Sequence, residues 1–564
     1  MTDKADKIFL NGKIFTSDES GTICEALAIK DGRIISVGTR AKVLKHQGTQ
    51  TELVNLAGNT MIPGLIDSHM HPLWGAKMLQ THSLNYEPLS IEDTLSKLED
   101  FLKEDTTEEE WLKVSGWRRM GGSDILAIDL DLLPTKRPIM LFSNDCHFMA
   151  LNSKGLKLLG IDENTPNPPD GTIIRNSDKV PLGIIEDAPA MRYYDSITQS
   201  YGKEAYHIFK QTFEALHAQG VTTIMDARAL DETFECIKFM RENGALTLRF
   251  LGAREIKAAD CPTPEHAEQA VLIAKQFIQK YDEKLITPSP GIHIKHLKFF
   301  IDGMPKNLTA YLQAPFYVNQ GTYDAPLWIQ GNWAGQPYFS EQKLEALFIV
   351  AAKHNLYPHC HIIGDGAAAI SLMAIEAMRK AYPDKDIRPA LAHLDIVTKD
   401  IYKKAADCRA ICVLSFQWCG QPKELIEYQR NLFGPERYEG LETHGKFIDA
   451  GAIVAYGSDW PIEPLDEWGN FQVGLTRRMI GEKPDSFERL DNDRDLTLDE
   501  VLRAGTICAA YALGLEKELG SLEPGKIADM AIIKGDLFSV KPWEISKTKV
   551  LQTIVGGKTV YATK

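Results

Sequence analysis

Met61-Ile-Pro-Gly-Leu-Ile-Asp-Ser-His69-Met-His71-Pro72 carries an apolar strand into two imidazoles one residue apart. Successive side chains of a strand point to opposite faces, so positions 69 and 71 share a face and enter one space at the strand's end. Two neutral imidazoles converging there suit a divalent metal. A bare HxH also arises by chance, so its weight depends on what the rest of the chain brings to the same place.

Downstream, strand-like runs alternate with helical stretches: Val221 to Asp226, His293 to Ile301, Tyr357 to Ile363, Pro389 to His393, Ile411 to Ser415 and Ile453 to Asp459. Such alternation is the mark of a parallel α/β core, and a (β/α)8 TIM-type barrel fits it. Barrels of this kind carry reactive residues where strands end, and His71, Lys298, His361, His393 and Asp459 all stand there. The chain ends read differently. Glu25 to Gly38 has a hairpin signal at Asp31-Gly32, and Ala528 to Asp536 and Val550 to Tyr561 are again alternating and broken by glycine. The expected organisation is a small β-sandwich domain from residues 1–60 and 515–564, and a barrel from 61–72 and 206–514. Residues 73–205 are too long for one crossover and read as an insertion over the barrel mouth. Gly121-Gly122 carries no phosphate fingerprint.

The chain has 564 residues, 44% hydrophobic and 25% charged, enough for a large catalytic domain and a smaller one. A formal charge of −14 without a basic run argues against a nucleic-acid partner. The start lacks an apolar leader, and no segment reaches the roughly 18 consecutive apolar residues of a membrane span. Nine cysteines, with no CxxC pair, fit a reducing compartment. The expectation is a cytoplasmic enzyme acting on a small molecule, without a membrane partner and with homo-oligomerisation left open.

With these strand ends in view, the sequence resembles the amidohydrolase superfamily, in the YtcJ-like branch that includes N-substituted formamide deformylase. The matching pieces are Ile62 to His71, Cys146 to Ser153, Leu297 to Gly303, His361 to Ala367, Ala392-His393, Gly457 to Pro461 and Gly520 to Asp529. The resemblance implies that His69, His71 and Asp459 hold one metal ion and that His361 and His393 hold a second. It also implies a Lys298 carboxylated on its side-chain nitrogen, whose carbamate oxygens bridge the two. Zinc is the first expectation, with manganese, iron and cobalt as alternatives. In this reading a metal-activated hydroxide attacks a carbonyl, while Asp459 takes its proton and hands it to the departing amine.

Other readings stand beside these. Lys295 competes with Lys298, although His296, Lys298 and Phe300 share a face from which Lys295 points away. His359, two residues before His361, could exchange roles with it. Asp459 could cap the next helix, and Asp302 and Asp365 could fix loops. Trp74, Trp117, Trp418, His147 and Asn144 are candidate substrate contacts, with Asn152 and Glu186 as polar neighbours, and core packing is the plainer reading of the tryptophans. Ala392 and Trp418 depart from the Glu-His and Gln-Pro pairs usual in the family. The function expected is hydrolysis of a non-peptide C–N bond in a linear amide, of N-acyl or N-formyl type. A deaminase of an aminated heterocycle and a catalytically inactive scaffold are the alternatives.

Overall fold

A computed structural model describes residues 4–105, 110–119, 124–168, 171–198, 203–305, 308–321, 326–480 and 489–563, which leaves Gly121 and Gly122 outside the described residues. The chain divides into two compact units. The first comprises Met1–Met70, Phe213–Ser458 and Asp466–Lys564, and the second His71–Thr212 and Asp459–Leu465.

The first unit is built on eight parallel strands: β1 (Leu65–Met70), β2 (Val221–Asp226), β3 (Arg249–Glu255), β4 (Ile292–Phe300), β5 (Tyr357–Ile362), β6 (Ala390–His393), β7 (Ile411–Leu414) and β8 (Ile453–Tyr456). They are hydrogen-bonded in this order from β1 to β8. Both faces of these strands are covered, and all six residues of β1 and of β2 are buried, the polar Asp67, Ser68, His69, Thr222, Thr223 and Asp226 included. Side chains draw β8 towards β1 where the ladder stops. Ser68 Oγ donates to the Tyr456 carbonyl at 2.6 Å, and Ser458 donates to Asp67 through its amide and hydroxyl at 3.1 and 2.5 Å. The result is a nearly closed barrel. Its crossover helices have ordinary start signals, such as Ser340, whose hydroxyl accepts from the Lys343 amide and caps Glu341–Lys353.

Both chain ends meet in one mixed eight-stranded sheet of the same unit, where Thr60–Pro63 pairs antiparallel with Met530–Ile533 and parallel with Lys13 and Ile14. Asp31 and Gly32 turn with φ of 50° and 75°, as a two-residue hairpin loop with two positive φ values requires. Alternation along Lys7–Phe15 and Ile23–Lys30 supplies two apolar clusters. Phe9, Ile14, Leu27 and Ile29 belong to one, and Ile8, Leu10, Ala26 and Ala28 to the other.

The second unit has its own six-stranded sheet, ordered Gly171–Arg175, Pro181–Asp187, Phe148–Leu151, Ile139–Ser143, Leu112–Trp117 and His82–Ser83. Apolar side chains cover it in two clusters, one around Phe142 and Tyr194, which stack at 4.1 Å, and one around Leu112 and Leu141. Among the described residues no helix is long and apolar enough to cross a membrane.

Candidate active site

The ends of β1 and β8 are pinned by Asp67. One of its oxygens accepts from the amides of His69 and Ser458, each at 3.1 Å, and the other accepts from the Ser458 hydroxyl at 2.5 Å. Gly457 is obligatory here, because a Cβ at that position would lie 2.5 Å from the Cβ of His69. Its lack of a side chain lets the two strand ends approach.

His69, His71 and Asp459 each offer one ligand atom, and these atoms lie within 4.8 Å of one another. His71 Nε2 stands 3.3 Å from Asp459 Oδ1. All three residues are buried. Two imidazoles and a carboxylate, brought together out of water, form a donor set that suits a divalent cation. These residues fit the divalent ion that the sequence resemblance implies. Asp459 has a φ of 56°, a left-handed conformation that costs energy in a non-glycine residue and that the surrounding structure must hold.

The other barrel candidates lie on β4, β5 and β6. Lys298 is fully buried, whereas Lys295 is exposed on the other face of β4. Lys298 pairs with His359 in the ladder, as Phe300 does with His361. The Lys298 ammonium sits 4.6 Å from the centre of the Phe300 ring. In β6, Ala392 pairs with His361, so strict alternation would send His393 to the opposite face. A φ of 77° at His393 turns it back. Its ring lies 4.6 Å from that of His361 and 4.8 Å from that of His69, and Trp418 stacks on it at 5.0 Å.

His359 and His361 occupy different places. His359 Nε2 is 2.8 Å from His69 Nδ1, while His361 packs on His393 and Phe300. Asp302 fixes loops, accepting from the amides of Ile363, Gly364 and Tyr311. Burial pushes its carboxyl up to about 7, against the lowering effect of those three amides. Asp365 accepts from the Gln313 amide at 2.9 Å.

In the second unit, His147 Nδ1 meets Asp187 Oδ1 at 3.0 Å. Burial works to lower the His147 pKa, but the Asp187 hydrogen bond and the charges of Asp145, Asp187 and Asp459 outweigh it, and the net direction is upward. Asp187 holds this pose from a strained backbone, φ 62° and ψ −142°. Trp74 lies 4.9 Å from the His71 ring and donates to Asp195. Trp117 belongs to the apolar cluster around Leu112. Asn144 donates its side-chain amide to the Ile462 carbonyl at 3.1 Å, and Asn152 caps the helix Ser153–Leu158. Glu186 pairs with Arg119 at 3.0 Å.

The model of the Amidohydrolase family matches residues 52–561 of this chain. The chain belongs to the amidohydrolase family. LONG AFTER FAR-RED 3 of Arabidopsis thaliana is 27% identical to it, over 99% of this amidohydrolase and 92% of the relative. YtcJ of Bacillus subtilis (strain 168) is 25% identical over 98% and 99%. N-substituted formamide deformylase of Arthrobacter pascens is 23% identical over 99% and 98%. An uncharacterized metal-dependent hydrolase from Pyrococcus horikoshii OT3 shares the fold with a TM-score of 0.70 at 21% identity, covering 95% of this chain and 99% of that one.

Three features of this amidohydrolase have little or no mark in its sequence. Asp67 lies inside the decisive motif, two residues before His69 on the same strand face, and that spacing was its only signal. Asp187 had no local signal, since its partner His147 is distant in sequence. The contact between His69 and His359 spans β1 and β5 and has no sequence mark at all.

Proposed function

We propose that this amidohydrolase hydrolyses a non-peptide C–N bond, a linear amide of N-acyl or N-formyl type, and releases an amine and a carboxylate. The observation that carries the reading is the buried His71–Asp459 pair at 3.3 Å with His69 beside it. His69, His71 and Asp459 would hold one divalent ion. His361 and His393, with a carboxylated Lys298, would hold a second. Zinc is the first choice, and manganese, iron and cobalt suit the same donors. When bound, such an ion supplies Lewis acidity, which polarises a carbonyl and brings the pKa of water down to about 7.

The side chains do the rest. Asp459 takes the proton of the attacking water as the new C–O bond forms, and returns it to nitrogen as the C–N bond breaks. Lys298 is fully buried, and a carbamate there would set its negative charge against the proposed divalent ions, which supports the modification. His147, steadied by Asp187, offers a hydrogen bond to a polar group of the substrate. Trp74, beside the His71 ring, would offer the substrate an apolar wall, and Asn144 would steady the loop of Asp459. The name of the Arthrobacter relative supports an N-substituted amide over a heterocycle.

The test is metal content per chain by elemental analysis, native mass for an added carboxyl on Lys298, and a screen of N-acyl and N-formyl amines. About two ions and release of the organic amine is the expected result. A metal-free wild-type chain, or ammonia released only from aminated heterocycles, would overturn it.

A further inference from the structure

We infer that His359 is a positioning residue that fixes the ring tautomer and orientation of His69, an inference that rests on His69 being a metal-holding residue. Both side chains are 1% exposed, and their rings are 4.8 Å apart and tilted by 44°. The separation of His359 Nε2 and His69 Nδ1, 2.8 Å, decides between two arrangements. Two nitrogens on one tetrahedral zinc, each about 2.0–2.1 Å from it, stand roughly 3.3 Å apart. The His71–Asp459 pair has that spacing, at 3.3 Å. The His69–His359 pair is closer than that, at the distance of an N–H donating to a ring nitrogen.

One nitrogen of the pair therefore carries the shared hydrogen and the other accepts it. When His69 Nδ1 donates to His359 Nε2, the Nε2 lone pair of His69 is the one left for an ion. Metal-holding histidines commonly have the second ring nitrogen engaged in this way, most often with a carboxylate or a carbonyl. Here the acceptor is a neutral imidazole. The His359 ring is itself fixed. It lies edge-on to His296 at 6.1 Å and 85°, and His296 Nε2 reaches the Ala512 carbonyl at 3.3 Å. In the ladder, position 359 is flanked by Lys298 and Ala390. Period-two alternation puts His359 and His361 on one face of β5, and His359 is at hydrogen-bond distance from His69. One strand thus supplies a proposed ligand and, two residues earlier, the support for a ligand on another strand.

The experiment is zinc affinity by chelator competition for the wild type, His359→Leu and His359→Gln, with melting of each metal-free protein as a check on folding. The leucine variant should bind its tightest zinc about 10–100-fold more weakly, as loss of such outer partners typically does. The glutamine variant, whose amide oxygen can accept from His69 Nδ1, should recover most of that loss and hold the same number of ions. Wild-type affinity in a folded His359→Leu protein would overturn the inference. So would loss of a whole ion from both variants, because His359 would then be a ligand itself. A wild-type chain that takes up no zinc would instead remove the metal reading of His69, and this inference with it.

Discussion

At the scale of single residues, backbone conformation delivers what strand periodicity cannot. His393 would face away from His361 if β6 stayed extended, and a φ of 77° brings it round. Asp459 likewise stands in the left-handed region and meets His71 from there. Strand alternation made the positions of His69, His71 and Lys298 legible, because three residues with period-two partners need only a face. The left-handed turns were not legible, since neither residue is a glycine whose identity would announce them. Replacing Asp459 with Asn keeps size and shape but removes the proton acceptor. Turnover should fall by about 10²–10⁴-fold, the usual worth of positioned acid–base catalysis. A steady-state assay on a substrate from the amide screen reads this, and less than a tenfold loss would remove Asp459 from the proton transfer.

At the scale of elements, the segment Asp459–Leu465 is held by its own unit. His71 donates its amide to Trp460, the Tyr86 hydroxyl donates to the Pro461 carbonyl, Asn144 donates to Ile462, and Arg118 pairs with Glu463 at 3.1 Å. Asn144 was readable as a polar candidate just before the Cys146 to Ser153 motif, but its partner is 318 positions away in sequence and has no local signature. An Asn144→Leu variant should fold normally and lose catalysis, since displacing a reacting group by about 1 Å can cost 10²-fold. Comparing kcat with the melting temperature separates this from general damage. A variant with unchanged kcat would show that Asn144 is not needed to hold the segment.

The helix Lys203–Ala218 ends on a second such device. His217 donates from Nδ1 to the Val221 carbonyl and, as a neutral ring, accepts at Nε2 from the Thr247 hydroxyl, each at 2.9 Å. Burial lowers its pKa to about 4 from an ordinary value of 6.5. The unfolded chain therefore binds the proton more readily, so this stability is present above pH 6.5 and is lost as pH falls towards 4. Between pH 7 and pH 5 the share of the loss that belongs to His217 should be about 2 kcal/mol, read as the difference between wild type and a His217→Gln variant. Denaturant titrations of metal-free protein at the two pH values would show it, and His217→Gln should flatten the slope.

At the scale of the whole chain, the mixed sheet and the barrel of the first unit are joined by a buried ion pair. Arg249 on β3 is fully buried and meets Asp529, just before the strand Met530–Ile533, at 2.7 Å. Two of its five hydrogens go to the two Asp529 oxygens and the other three reach the carbonyls of Thr287, Ser289 and Pro288, so every hydrogen of the guanidinium has an acceptor. Asp529 closes the Gly520 to Asp529 motif, one of those through which the sequence resembles the family. Removing one partner strands a buried charge, and Asp529→Ala should destabilise the protein by about 3–5 kcal/mol. The midpoint of chemical unfolding measures this, and a shift within error would mean that water replaces the lost carboxylate.

The sequence by itself determined the parallel α/β core, the meeting of both termini in one sheet, and a set of imidazoles and carboxylates at strand ends. These follow from local rules: apolar runs, alternation, turn residues and a motif short enough to sit on one strand. The tertiary structure alone decided that His359 reaches His69, how His393 faces the site, and which distant groups hold Asp459. Those depend on separations between strands far apart in sequence, set by how the barrel curves towards closure and by side-chain contacts such as Asp67 with Ser458, and no periodicity within one strand encodes them.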